Sequence, residues 1–354
     1  MIPDLVVCSM FCVGGMVAAE AAEIPFDVMV PNIYPFPAEG LPPFGLGLQP
    51  ARGPAGRLRD RVLSTLAERL WDARGLVGLN ALRGRHDLPP LSHFFDQVGR
   101  AWRQLVLTSA AFDFPATLPD NARYVGPVLD EPAWALSAPW TTPAGNSPLV
   151  LVSLSSTFQD QIGCLQRIVE ALSTLPLRAI ITTGPAVEVT ALHPSPNVGI
   201  VESAPHRRVL QQAALVITHG GHGTVMKALA AGVPLVVLPH GRDQGDTAAR
   251  VSARGAGVTL ARTAGVRAIR GAVLDVIQND SFRLAAQHLG EAIQRDGDAD
   301  VLICELEALP NSDTWTADGA ITDPPHAAPR LEPMSSTKSP PGGILAQNVV
   351  TDHS

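Results

Sequence analysis

The sequence predicts an α/β protein of two lobes, the second a doubly wound parallel sheet, and three observations predict it. The chain has 354 residues, more than one small domain holds and enough for two cores. It is 46% hydrophobic, 17% charged and only 5% aromatic, a balance that suits buried parallel strands covered by helices. From Pro148 onward, short apolar runs alternate regularly with helix-length segments.

The same composition excludes several classes. A net charge of -7 with no Lys/Arg block argues against a nucleic-acid partner or an anionic membrane surface. Cys8, Cys12, Cys164 and Cys304 form neither a disulfide framework nor a CxxC zinc pair, which predicts a reducing, cytoplasmic setting. The apolar start "MIPDLVVCSMFCVGGMVAAEAA" has no Lys or Arg before its apolar run and carries Asp4, against a signal peptide. No run is long and apolar enough for a membrane span.

In order along the chain, "DLVVC" reads as a buried strand, Gly14-Gly15 lead an Ala-rich helix through Glu23, and "PFDVMVP" is the next strand. The Pro- and Gly-rich stretch from Asn32 to Pro54 is a long irregular loop of the kind that shapes ligand pockets. Helices are expected over 56–82 and 92–103, and "QLVLTSAAFDFP" returns as a strand. Three strands are thus legible where a complete doubly wound lobe needs about five or six, so the first lobe is either small or incomplete, its first half absent. The expected organisation is a partial first lobe over 1–130, a linker over 131–147, a second lobe over 148–309 and a disordered Pro-rich tail over 310–354.

The second lobe reads as strand "PLVLVSLSS", a helix to about Leu175, strands "RAIITTG" and "NVGIVES", a short helix over Val209 to Ala213, and strand "LVIT". A helix over 223–231, strand "PLVVLP", a helix over 244–254, strand "GVTL" and three terminal helices follow. Ligands of such sheets sit outside the strands' carboxyl ends, where "THGGHGTV" lies. Gly220, Gly221 and Gly223 let backbone N–H groups approach an anion, and the helix N-terminus adds partial positive charge. Thr224 offers a hydroxyl, and His219 an N–H that, if protonated, offsets the charge of a leaving diphosphate. Ser155, Ser156 and Thr157 either reach the same anion or simply cap a helix. Asp243 and Gln244, at a neighbouring strand end, suit adjacent sugar hydroxyls. His219 and His222 do not make a metal site, because the glycines between them break the helix that would align them and no Cys or Glu completes a set. "GGHGTV" is not a dinucleotide fingerprint either.

These residues carry a family likeness. "SAPHRRVLQQAALVITHGGHGTVMKALAAGVPLVVLPHGRDQ" resembles the nucleotide-sugar signature of glycosyltransferases, most of all the bacterial macrolide-type members, and "DTAARVSARGAGVTL" continues it. The likeness is weaker upstream, in "DLVVCSMFCVGGMVAAEAAEIP" and "NARYVGPVL". It implies a GT-B fold of two Rossmann-like lobes, the donor on the second and the acceptor on the first. It places His219, Gly221 and Thr224 at diphosphate positions and Asp243 and Gln244 at donor-sugar positions. It also implies inverting, metal-independent transfer without a cofactor, a UDP- or dTDP-sugar serving as co-substrate for a small hydroxylated acceptor.

The chain departs from the likeness at several places. Where plant members have Trp-x-Pro-Gln, it has Ser203-Ala204-Pro205-His206, so Pro205 and His206 are only possible donor contacts. Where they have a ribose-binding Glu, it has Lys227, which is expected either to reach phosphate or ribose or to stay solvated. The first strand that carries the family's catalytic His is absent, and the paired Asp position falls near Ser9, so no catalytic base is named; His86 and His93 read as surface residues. The leading expectation is sugar transfer to an apolar acceptor, favoured by the Pro-rich loop over 31–50. A catalytically inactive nucleotide-sugar-binding fragment or partner protein, and a nucleotide-sugar epimerase, are the alternatives.

Overall fold

The computed structural model describes residues 2–131 and 140–309, so part of the expected linker and the expected disordered tail lie outside the described residues. Among the described residues the chain builds two parallel sheets. The first has four strands in the order β1 (Val6–Ser9), β2 (Phe26–Val30), β3 (Arg103–Val106) and β4 (Ala122–Tyr124). Each is parallel to its neighbour.

Several expectations for this lobe needed correction. The lobe has a fourth strand: β4 lies in "NARYV", whose three residues are half-buried and too few to show a period. The strand expected over "QLVLTSAAFDFP" stops at Val106, after which Thr108, Ser109 and Asp113 turn the chain into buried polar loop structure. The helix expected over 56–82 is α2 (Gly53–Trp71) and α3 (Val77–Gly84), joined by a π-turn over Asp72–Leu76. Asp72 accepts the Phe94 N–H at 2.8 Å there, and the Phe94 ring lies where a side chain on Gly75 would stand. Of the helix expected over 92–103 only α4 (Asp96–Gly99) forms; α1 (Val13–Ala21) is as read.

Buried charge organises this lobe. Arg83 and Glu20 are fully buried and paired at 2.6 Å, with Gln97 and Arg100 also donating to the carboxylate. Burial alone would raise the Glu20 carboxyl, but hydrogen bonds from Arg83 and Gln97 and the Arg100 charge bring it below its usual range.

The second sheet has six parallel strands in the order β10 (Gly257–Thr259), β9 (Leu235–Val237), β8 (Ala213–Thr218), β5 (Leu149–Ser153), β6 (Arg178–Thr182) and β7 (Val198–Val201). The order reverses between β8 and β5, the switch point of a doubly wound sheet. One face packs Leu149, Leu151, Val216 and Leu235 under α7 (His222–Ala230) and α10 (Asp280–Asp298). The other packs Val150, Val152, Ile217 and Val236 under α5 (Ile162–Ser173) and α9 (Val266–Gln278). The short helix expected over Val209 to Ala213 is shifted: α6 spans His206–Leu210, capped at Pro205, and Ala213 already belongs to β8.

The last expected helix changes lobe. α11 (Val301–Glu307) packs Val301, Leu302 and Leu306 against Leu105, Leu107 and Val125 of the first lobe. Its Glu305 pairs with Arg103 and Arg123, and Arg103 in turn holds buried Asp27. An amphipathic period locates a helix but not the sheet it covers.

Candidate donor and acceptor sites

The two lobes meet at the carboxyl ends of their strands. Asp113 of the first lobe binds Arg250 of α8 (Gln244–Ala253) at 2.7 Å and its carbonyl accepts from Arg254. Ser109 donates to Asp296 at 2.5 Å. The loop after β2 is strapped down by Asp246, which accepts the Gly45 and Gly47 N–H groups at 2.6 and 2.9 Å.

A cavity of about 390 Å³ lies along the second sheet's strand ends. His219, Gly221, Gly223, Thr224, Ser155, Ser156, Thr157, His206, Lys227, Asp243 and Gln244 all line it, so most of the sequence candidates converge. Gly221 begins α7 with no side-chain cap, leaving the first-turn N–H groups open at the cavity wall. A Cβ on Gly221 would stand 2.6 Å from the His219 ring, so only glycine lets that imidazole lie over the helix start. A Cβ on Gly223 would stand in open space.

The structure separates roles that the sequence merged. Gly220 has φ 93°, donates its N–H to Thr218 Oγ1 at 3.3 Å, and packs against the Gln244 carbonyl. Its N–H is therefore spent inside the fold. Ser155, Ser156 and Thr157 do not open a helix, because α5 starts only at Ile162. Ser155 Oγ instead bonds the Thr157 N–H at 3.1 Å and the Gln159 amide at 2.8 Å, ordering the loop. Gln244 is similarly engaged: its carbonyl accepts from His240 and Gly241, and its amide donates to Gln159 at 2.9 Å. Pro205 caps α6 and is not part of the wall.

Both signature histidines are neutral near pH 7. Burial lowers His219 to about 4, the neighbouring His240 adding to the shift and Asp243 opposing it. Burial also lowers His222 to about 4, although its Nε2 donates to the Leu107 carbonyl at 3.2 Å. A standing imidazolium at His219, open on the sequence, is thus overturned for the free protein. His219 Nδ1 is buried with no hydrogen-bond partner, while a backbone hydrogen bond at Ser153 works against the lowering of the ring.

Sequence reasoning missed four residues. Asn32, just after β2, donates to Asp243 Oδ2 at 2.9 Å and keeps a buried, unpartnered Oδ1, so the first lobe reaches Asp243. Gln159 bridges the β5 loop to Gln244. Arg242 brings a cation to the rim from a left-handed backbone with φ 57°. Glu131 pairs with Lys227 at 3.1 Å. Arg242 and Gln159 stand beside Asp243 and Thr157 in stretches already singled out, whereas Asn32 and Glu131 are placed by distant partners, the Pro-rich setting of Asn32 being the one signal available for those two.

A second cavity, about 840 Å³, lies within the first lobe and is walled by Tyr34, Phe36, Leu41, Phe44, Trp71 and Phe95 among others. His93 also lines it, its Nδ1 2.9 Å from Asp72, whose hydrogen bond raises the imidazole above its ordinary value. This pair stands at the Trp71 end of α2, about 27 Å of helix from Gly53. His86 follows α3 as an exposed residue, as expected.

An uncapped helix N-terminus at the switch point of a doubly wound sheet is a site for an anionic ligand, and the comparisons identify the enzymes that share this fold. Residues 166–309 match the family described as erythromycin biosynthesis protein CIII-like, C-terminal domain. The chain is 32% identical over 312 residues to 4'-demethylrebeccamycin synthase of Lentzea aerocolonigenes, covering 84% of this chain and 72% of that protein. It is 30% identical over 243 residues to a PGL/p-HBAD biosynthesis rhamnosyltransferase of Mycobacterium bovis, covering 67% of this chain and 52% of that protein. The crystal structure of CalG4, the calicheamicin glycosyltransferase, superposes with a TM-score of 0.68 at 25% identity, covering 87% of this chain and 73% of that one. The chain belongs to the GT-B glycosyltransferases of the antibiotic-modifying, macrolide type, and it is a glycosyltransferase. The partner-protein and epimerase readings find no support in these relatives. Among the described residues, no helix is long and apolar enough to cross a membrane.

Proposed function

We propose that the chain transfers a sugar from a uridine or thymidine diphosphate sugar in the smaller cavity to a hydroxyl of an apolar acceptor in the larger one. The observation that carries this is the convergence of the open α7 N-terminus, His219 and Asp243 on one cavity at the sheet's switch point. The first-turn N–H groups, the Thr224 hydroxyl and Arg242 face the diphosphate, and Asp243, held by the Asn32 amide, takes the sugar hydroxyls. The larger cavity has the size and aromatic lining of a drug-sized ligand site.

In the reaction, a base removes the acceptor hydroxyl proton, and that oxygen attacks the anomeric carbon with inversion. The bond to the diphosphate oxygen breaks and the nucleoside diphosphate leaves with its electron pair. Backbone dipoles aimed at that diphosphate stabilise the developing charge without a metal or cofactor.

The test measures nucleoside diphosphate release from UDP- and dTDP-sugars in the presence of EDTA, across a panel of apolar hydroxylated acceptors. Acceptor-dependent release is expected, falling at least about tenfold in Asp243→Ala, since a hydrogen bond to a charged group is worth about 1.5–3 kcal/mol. Bound donor that is never turned over with any acceptor would overturn the reading.

A further inference from the structure

We infer that Glu131 grips the ribose of the donor nucleotide and that Lys227 serves to neutralise it, an assignment that rests on the donor reading above and deepens it. The cavity follows the strand ends in the order β9, β8, β5, β6, β7, about 19 Å at the usual strand spacing. Asp243 marks the β9 end and the α7 N-terminus stands beside β8. With the sugar at the first and the diphosphate at the second, the nucleoside falls to the β6–β7 end, lined by Thr182, Gly184 and His206.

Glu131 borders that end. One carboxylate oxygen accepts the Arg207 N–H at 2.8 Å at the start of α6, and the other takes Lys227 Nζ at 3.1 Å. The side chain is 7% exposed and lines the cavity. A carboxylate is an acceptor only, with about four lone-pair directions, of which two are used. It repels a diphosphate but matches the hydroxyl donors of a pentose. Lys227 cancels the charge that would otherwise oppose the diphosphate nearby. The lysine that sequence reasoning left between a phosphate contact and a solvated residue is thus the partner of a carboxylate supplied from the interlobe segment.

The test is a cycle that crosses Glu131→Ala with removal of the ligand's hydroxyls, using calorimetric titration of UDP, 2′-deoxy-UDP and 2′,3′-dideoxy-UDP. Wild type is expected to lose about tenfold in affinity from UDP to the dideoxy ligand, and Glu131→Ala to bind both alike. Lys227→Met should weaken all three about equally while keeping the hydroxyl preference, a second readout if Glu131→Ala fails to fold. Equal hydroxyl preference in wild type and Glu131→Ala would overturn the assignment, reducing Glu131 to a tether. A wild type that binds neither UDP nor dTDP would overturn the donor reading itself.

Discussion

Acidification from pH 7 to 5 should destabilise the protein through His219 and His222. Both are held neutral in the fold, lowered from 6.5 to about 4 chiefly by burial. The unfolded chain takes up these protons near 6.5, so between 6.5 and 4 it binds more protons than the native state. The contribution is therefore complete above the unfolded value and is lost as pH falls toward the folded one. At 1.36 kcal/mol per unit, the step from pH 7 to 5 removes about 2 kcal/mol for each histidine. The raised carboxyls of Asp27 and Asp246, both shifted by burial, act in the opposite sense, but they cancel when two variants are compared. The assay is urea unfolding at pH 7 and 5 for wild type and His222→Gln, whose amide keeps a donor for the Leu107 carbonyl. The variant should lose about 2 kcal/mol less than wild type over that interval. Equal losses would refute the reasoning.

Three further outcomes follow from the packing. Arg83→Met leaves the buried Glu20 carboxylate with Arg100 and Gln97 alone, and should cost about 3 kcal/mol in urea unfolding at pH 7; a cost within the scatter of surface variants would contradict it. A Cβ on Gly290 would stand 2.2 Å from the Leu229 carbonyl, so Gly290→Ala should push α10 off α7, costing about 1–3 kcal/mol and weakening nucleotide binding with it. Unchanged thermal stability would show that the helices do not touch there. Asp246→Ala releases the Gly45 and Gly47 N–H groups, so hydrogen exchange should rise over residues 34–50 and little elsewhere. Unaltered exchange in that loop would mean the strap holds nothing.

The second lobe and its strand-end cavity were legible because their signals are local. The His-Gly-Gly turn, the helix behind it and the following apolar strand lie within 216–244, and one strand end positions them together. What was not legible depends on distance along the chain. Asn32 meets Asp243 across 211 residues, and Glu131 meets Lys227 across 96. Gly220 and Ser155 show the opposite difficulty: residues suited to bind an anion equally suit a tight turn, and the fold uses both in turns, with Ser155 still in the cavity wall. The short β4 and the docking of α11 on the first lobe carry no periodicity from which to read them.

The most direct test of the donor assignment compares UDP with uridine by calorimetric titration, in wild type and Thr224→Val. If the open helix N-terminus holds the diphosphate, UDP should bind at least about a hundredfold more tightly than uridine, about 2.7 kcal/mol, and Thr224→Val should weaken UDP but not uridine. Uridine binding as tightly as UDP, or Thr224→Val weakening both alike, would contradict the assignment.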